Sequence, residues 1–125
     1  MRSVVSVLLV SSILALGCGK GGGGGGAPAA NIPPEASALF SQRCTPCHGP
    51  SGGGDGPASA SLNPRPRNFH DAAWQRSVTD EHLEKIIIGG GASVGKSPAM
   101  PANPDLQGRA AIVAGLRAKI RSLAD

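Results

Sequence analysis

No tyrosine occurs in the 125 residues, and Phe40, Phe69 and Trp74 are the only aromatic side chains. Aromatics ordinarily supply much of the buried area of a small core, so a folded unit of this size needs another source of apolar bulk. Strand signals are almost absent, which argues against a sheet. Clustered charge is missing too. From Pro33 onward ten basic and eight acidic residues are scattered along the chain. Nucleic-acid binding needs Lys and Arg gathered on one face, and that class is set aside. The length allows one compact unit plus tails. Glycine and proline are abundant, at 19 and 11, but eight of the glycines fall between Gly17 and Gly26. The bias is mostly local, so the remainder is free to fold.

The amino terminus carries a charged start, Arg2, and an apolar run from Val4 to Leu16 broken only by serines. Such a run is short for a membrane span and reads as the core of an export signal over residues 1–17. Two readings of its end compete. Ala15-Leu16-Gly17 resembles an ordinary signal-peptidase site, whereas Gly17-Cys18 resembles the lipobox of bacterial lipoproteins. Cys18 is followed by Gly19-Lys20 and the six glycines Gly21 to Gly26, a spacer suited to separating a lipid anchor from its domain. Residues 18–32 are therefore expected to hold a lipidated Cys18 and a tether with an r.m.s. reach of roughly 20 Å. The folded domain is expected over residues 33–125, on the outer side of a bacterial membrane.

Cys44-Thr45-Pro46-Cys47-His48 fits C-x-x-C-H, the attachment sequence of c-type haem. Two thiols three residues apart can add to the two vinyl groups of one haem, and the adjacent imidazole can turn onto its iron. Three other uses of such a pair were weighed. A thiol-redox site belongs at the start of a helix beside a strand, and strand signals are scarce here. Zinc needs two further paired ligands, and Cys18 is the only other cysteine. A disulfide would close a tiny loop and add little stability. For a sixth iron ligand the chain offers Met100, His70 and His82, since Met1 leaves with the signal. Met100 lies between Pro98 and Pro101, in a stretch that cannot be regular helix and is stiff enough to hold one thioether. His70 is the stronger rival; His82 reads as a surface position on a helix.

Phe40 to Pro50 and Gly52 to Pro57, followed by Gly89-Gly90 and Ser97-Pro98-Ala99-Met100-Pro101, resemble the successive landmarks of class I monohaem cytochromes c, from about Pro34 to Leu123. The resemblance implies an all-α fold with about three main helices and Gly/Pro-rich loops wrapped round one covalent haem c, ligated by His48 and Met100. It implies that the His48 ring donates its other N–H to the carbonyl of Pro57, and that Arg65, Arg67 and Trp74 meet the haem propionates. It implies single-electron transfer between membrane-associated redox proteins rather than enzymatic turnover. The alternatives are a peroxidase-like enzyme or gas sensor whose Met ligand leaves the iron, and a non-haem thiol lipoprotein.

Gly90-Gly91-Ala92-Ser93-Val94-Gly95-Lys96-Ser97 also matches the phosphate-binding loop G-x-x-x-x-G-K-S. That loop needs a helix to begin at its Lys and Ser, and Pro98, Pro101 and Pro104 forbid one. Nucleotide is therefore not expected as a ligand. Helices are expected from Pro34 to about Arg43, with Ala36, Leu39 and Phe40 on one face; from Asp80 to Ile88, stopping at Gly89; and from about Leu106 to Leu123, with Leu106, Val113, Leu116 and Ile120 on one face. By the same resemblance the first and last helices cross. Gly115 stands where an aromatic is common, so a loose crossing is expected there.

Overall fold

The structure, a computed structural model, describes residues 31–124. The export signal over residues 1–17, the lipidation site Cys18 and most of the glycine spacer lie outside the described residues. No strand occurs among the described residues, and none of their helices is long and apolar enough to cross a membrane. The all-α expectation therefore holds.

Helix α1 spans Pro34–Leu39, with Pro34 in the first turn, where its missing N–H costs nothing. The helix does not stop at Arg43 as expected. A π-helical turn over Phe40–Cys44 leads directly into α2, Thr45–His48. The cysteine motif is thus the end of the first helix rather than a loop after it. Hydroxyls line this passage: Ser41 Oγ donates to the Ser37 carbonyl at 3.1 Å and Thr45 Oγ1 to the Ser41 carbonyl at 2.6 Å.

A short helix, α3, Ala72–Ser77, has no counterpart in the sequence-based expectation. Asp71 caps it, its carboxylate accepting from the Trp74 amide at 2.9 Å. Six residues, three apolar followed by three polar, are too few for a helical period to stand out. Helix α4 follows at Asp80–Gly89, capped by Thr79, which accepts from the His82 amide at 3.1 Å. This helix matches the expectation closely, because its cap, acidic first turn and glycine end are all local signals.

The last helix, α5, spans Ala110–Arg121 and is shorter than expected. Leu106 belongs instead to a separate 3₁₀ turn, Pro104–Leu106, and Gly108 at φ +81° reverses the chain before the helix begins. Leu106 is nevertheless buried, as the apolar periodicity required. Ala36, Leu39 and Phe40 pack with Leu83, Ile87, Val113, Leu116 and Ile120 in one core.

The crossing of α1 and α5 is close, contrary to expectation. A Cβ added at Gly115 would come within 2.8 Å of the Ala36 Cβ and 2.7 Å of Pro33 Cδ. Gly115 therefore replaces bulk by proximity: losing a large side chain lets the backbones approach and restores contact between them. Elsewhere polar groups do the joining. The buried Gln75 donates from Nε2 to the carbonyls of Phe69 and Ile120, each at 2.9 Å. Arg121 reaches across to the Gln75 carbonyl, the Val78 carbonyl at 2.8 Å and the Asp80 carboxylate at 2.8 Å. These bonds fasten α3 and the start of α4 to α5, so the wall they form has a fixed place.

Candidate functional site

Between α2, the loop before α3, helix α4 and the proline-rich loop after it lies a cavity of about 1060 Å³. That is at the top of the ~300–1,000 Å³ range of ordinary small-molecule sites. Cys44, Cys47 and His48 line it, and so does Met100. A narrower apolar recess of about 40 Å³ is shared by Cys44, His48 and Met100 and reaches Leu39, Phe40 and Leu116 in the core. The missing apolar bulk inferred from the shortage of aromatics therefore corresponds to a space at the centre of the fold.

His48 is held in one tautomer. Its Nδ1 lies 3.1 Å from the Arg67 carbonyl oxygen, which can only accept, so Nδ1 carries the proton and Nε2 keeps its lone pair. Burial lowers the affinity of this ring for a second proton below the ordinary imidazole value, and the bond to Arg67 opposes that only in part. The imidazole is neutral at pH 7. Phe69 stacks on it, with ring centroids 4.4 Å apart and planes 14° from parallel. The partner expected for this nitrogen was the Pro57 carbonyl, and that expectation is corrected. The chain around Pro57 is tied to the turn of the cysteine motif, with the Gly56 amide donating to the Cys47 carbonyl at 3.1 Å and that of Ala58 to the Pro46 carbonyl at 2.9 Å. Pro57 itself is exposed. The Arg67 carbonyl takes that place instead.

Both motif cysteines are free thiols. Burial pushes the Cys44 thiol up to about 11, overcoming the opposite pull of the Arg43 charge. A thiol so protonated is a poor redox nucleophile at neutral pH. Among the described residues no three His, Cys, Asp or Glu side chains gather to hold a bare metal ion.

Met100 sits in a loop shaped by backbone contacts. Its carbonyl accepts from the Gly91 amide at 3.0 Å, and its own amide donates to the Ser97 carbonyl at 3.2 Å. A Cβ at Gly91 would collide with the Ser97 carbonyl oxygen. Gly91, one of the glycines of the phosphate-loop pattern, thus serves close approach of the methionine loop. Lys96 and Ser97 begin no helix. The two rival histidines change places. His82 lines the cavity, half-buried on the face of α4 shared with Ile86, whereas His70 is not among the lining residues. The spacing of four between His82 and Ile86 carried that information. Arg65, Arg67 and Trp74 all line the cavity as expected. The Arg67 guanidinium lies 5.5 Å from the Trp74 ring centre and 3.7 Å from the Asp71 carboxylate. Two further lining residues, Arg43 and Asn103, gave no signal in the sequence.

A family model described as Cytochrome c matches residues 34–117, which takes in α1 to α4 and most of α5. The chain belongs to the cytochrome c family. In comparisons with curated proteins and with solved structures nothing matches. This cytochrome c is a haem-binding electron carrier, and its family implies a covalent haem c. The donors present fit that group: paired thiols on one helical turn, an imidazole with a bare Nε2 beside them, and an apolar recess reaching the core.

Proposed function

We propose that this cytochrome c carries one electron at a time, with haem joined to Cys44 and Cys47 and its iron ligated by His48 and Met100. One observation carries the reading: His48, with its Nε2 lone pair unused, and the thioether-bearing Met100 line the same cavity as the two thiols. When bound, the haem supplies a one-electron couple at its iron. Arg67, through its carbonyl, keeps the His48 tautomer and ring orientation constant, which makes the imidazole a more basic donor. Met100 provides a soft sulfur that favours the ferrous state and raises the potential relative to two histidines. Phe69 and the apolar recess exclude water from the ligand side of the ring. Arg65, Arg67 and Trp74 pair with the propionates at the cavity wall. A haem held by both His48 and Met100 would have no open iron position for a substrate, which suits transfer without bond chemistry.

The same proposal includes export by residues 1–17, lipid attachment at Cys18 and exchange of electrons with redox proteins at the membrane surface. Support for this part is the order of signal, cysteine and glycine spacer ahead of the domain. The test is a visible spectrum of the protein matured in a host that attaches c-type haem. The ferric form should show the weak far-red sulfur-to-iron charge-transfer band, and carbon monoxide should bind the ferrous form slowly. Rapid carbon monoxide or peroxide binding by the wild type would instead favour the sensor or enzyme, and a lack of covalent haem would end both. Fractionation decides the anchor: a wholly soluble mature protein with unmodified Cys18 excludes it.

A further inference from the structure

Opposite walls of the cavity are joined by Arg43 and its two partners, Asn103 and Asp105. Arg43, the residue before Cys44, donates from Nη1 to Asn103 Oδ1 at 3.1 Å and to Asp105 Oδ1 at 2.9 Å. Asn103 lies three residues beyond Met100. Its Nδ2 donates to the Ile87 carbonyl at 2.8 Å, and its backbone amide donates to the Ile88 carbonyl, also at 2.8 Å. Each end of the amide faces the only kind of partner it can use: the oxygen meets a guanidinium, which has no acceptor, and the nitrogen meets a carbonyl, which has no donor. Pro101 and Ala102, which connect Met100 to Asn103, are exposed. Their backbone lies close against Gly90, where an added Cβ would come within 2.7 Å of the Ala102 amide nitrogen, and these bonds together with the one from Gly91 to the Met100 carbonyl fix the stretch there.

We propose that Arg43 and Asn103 are positioning residues for the sixth ligand, clamping the Met100 loop at once to the end of α4 and to the helix that carries Cys44. The clamp rests on the His48 and Met100 ligation put forward above. Neither residue needs to touch the sulfur. Opening the loop far enough to free Met100 requires breaking the Asn103 bonds, so the clamp sets how slowly an external ligand enters.

The experiment uses ferric holoprotein and imidazole as the entering ligand, followed by stopped-flow absorbance. Asn103→Ala and Arg43→Ala should each speed imidazole entry about tenfold, the scale of one hydrogen bond to a charged group. Asn103→Asp keeps an acceptor for Arg43 but loses the donor toward Ile87, and should be as fast as Asn103→Ala. The double variant should be little faster than the faster single one, because both remove the same clamp. Arg109→Ala, which breaks the exposed ion pair with Glu35 at 2.6 Å and removes no hydrogen bond of Arg43 or Asn103, should leave the rate unchanged. Where Asn103→Ala yields little folded protein, Arg43→Ala at its exposed position carries the test alone. The clamp is overturned if both alanine variants stay within about twofold of wild type with the far-red band intact, well short of the expected loss. Equal acceleration by Arg109→Ala also overturns it. A wild type without that band is a separate result, which removes the ligation reading itself.

Discussion

Helices α1 and α5 and the loop that carries Met100 line the same apolar recess, and they are held by opposite means. At the crossing, Ala36 and Gly115 bring two backbones together, and apart from the exposed Arg109–Glu35 pair at one end the attraction comes from contact area. In the loop, prolines and small exposed residues bury little, and the shape is held by amide-to-carbonyl bonds and by Asn103. Both regions depend on a glycine that has no room for a methyl group, Gly115 in one and Gly91 in the other. The lesson is a division of labour. The packed crossing governs whether the domain holds together, and on the proposed ligation the hydrogen-bonded loop governs what the iron sees.

The largest effect should come from removing what both regions surround. Cys44→Ser with Cys47→Ser should abolish covalent haem, and the protein should lose most of its helix by far-UV circular dichroism, since the cofactor fills the space aromatics leave vacant. Haem that survives acid-acetone extraction from the double variant would contradict covalent attachment at these two residues.

Substitutions at the two glycines then separate the regions. Gly115→Leu forces α5 away from Ala36 and Pro33, and overpacking of this kind costs about 1–3 kcal/mol. Each kcal/mol should lower the holoprotein Tm by about 4–8 °C at this size, with the far-red band retained. Gly91→Val should do the reverse, weakening the band by displacing Ser97 and the loop while moving Tm less. A Gly115→Leu protein with unchanged Tm but an altered band would reverse the assignment of roles.

Met100→Ala sharpens the comparison within the loop. It should give a ferric protein that is high-spin or water-ligated, binds cyanide readily and has a lower potential, whereas His70→Ala should leave the spectrum nearly unchanged. His82→Ala belongs in the same series, because His82 and not His70 lines the cavity. If the iron opens only in His82→Ala, the sulfur assignment fails.

Acid should have the smallest effect. The bond from Arg43 holds the Asp105 carboxyl below its ordinary value of 3.8. A carboxylate depressed by folding contributes stability that is present above its unfolded pKa and is lost as pH falls through the lower folded one. Thermal stability should therefore lose a small increment below about pH 3.8, and Asp105→Asn should already lack that same increment at pH 7 and show no such drop in acid. Equal acid sensitivity in Asp105→Asn would assign it to other groups.

Local signals made part of this protein legible from its sequence. The C-x-x-C-H spacing, the Thr79 cap with its acidic first turn, Pro34 at a helix start and the apolar repeat from Val113 to Ile120 each act within a few residues, so the amino-acid order alone determines them. The shortage of aromatics likewise announced a core with a space in it. The tertiary structure decided what depends on groups distant in the chain. Sequence reasoning gave the His48 partner to Pro57, nine residues on, but the ring takes the Arg67 carbonyl, which the fold brings to it from farther along the chain. It read Gly115 as a weakness, yet the partner that makes it a close contact is Ala36 on another helix. Asn103 and Arg43 carried no local pattern at all, since a hydrogen bond spanning 60 residues leaves no periodicity for a sequence to display.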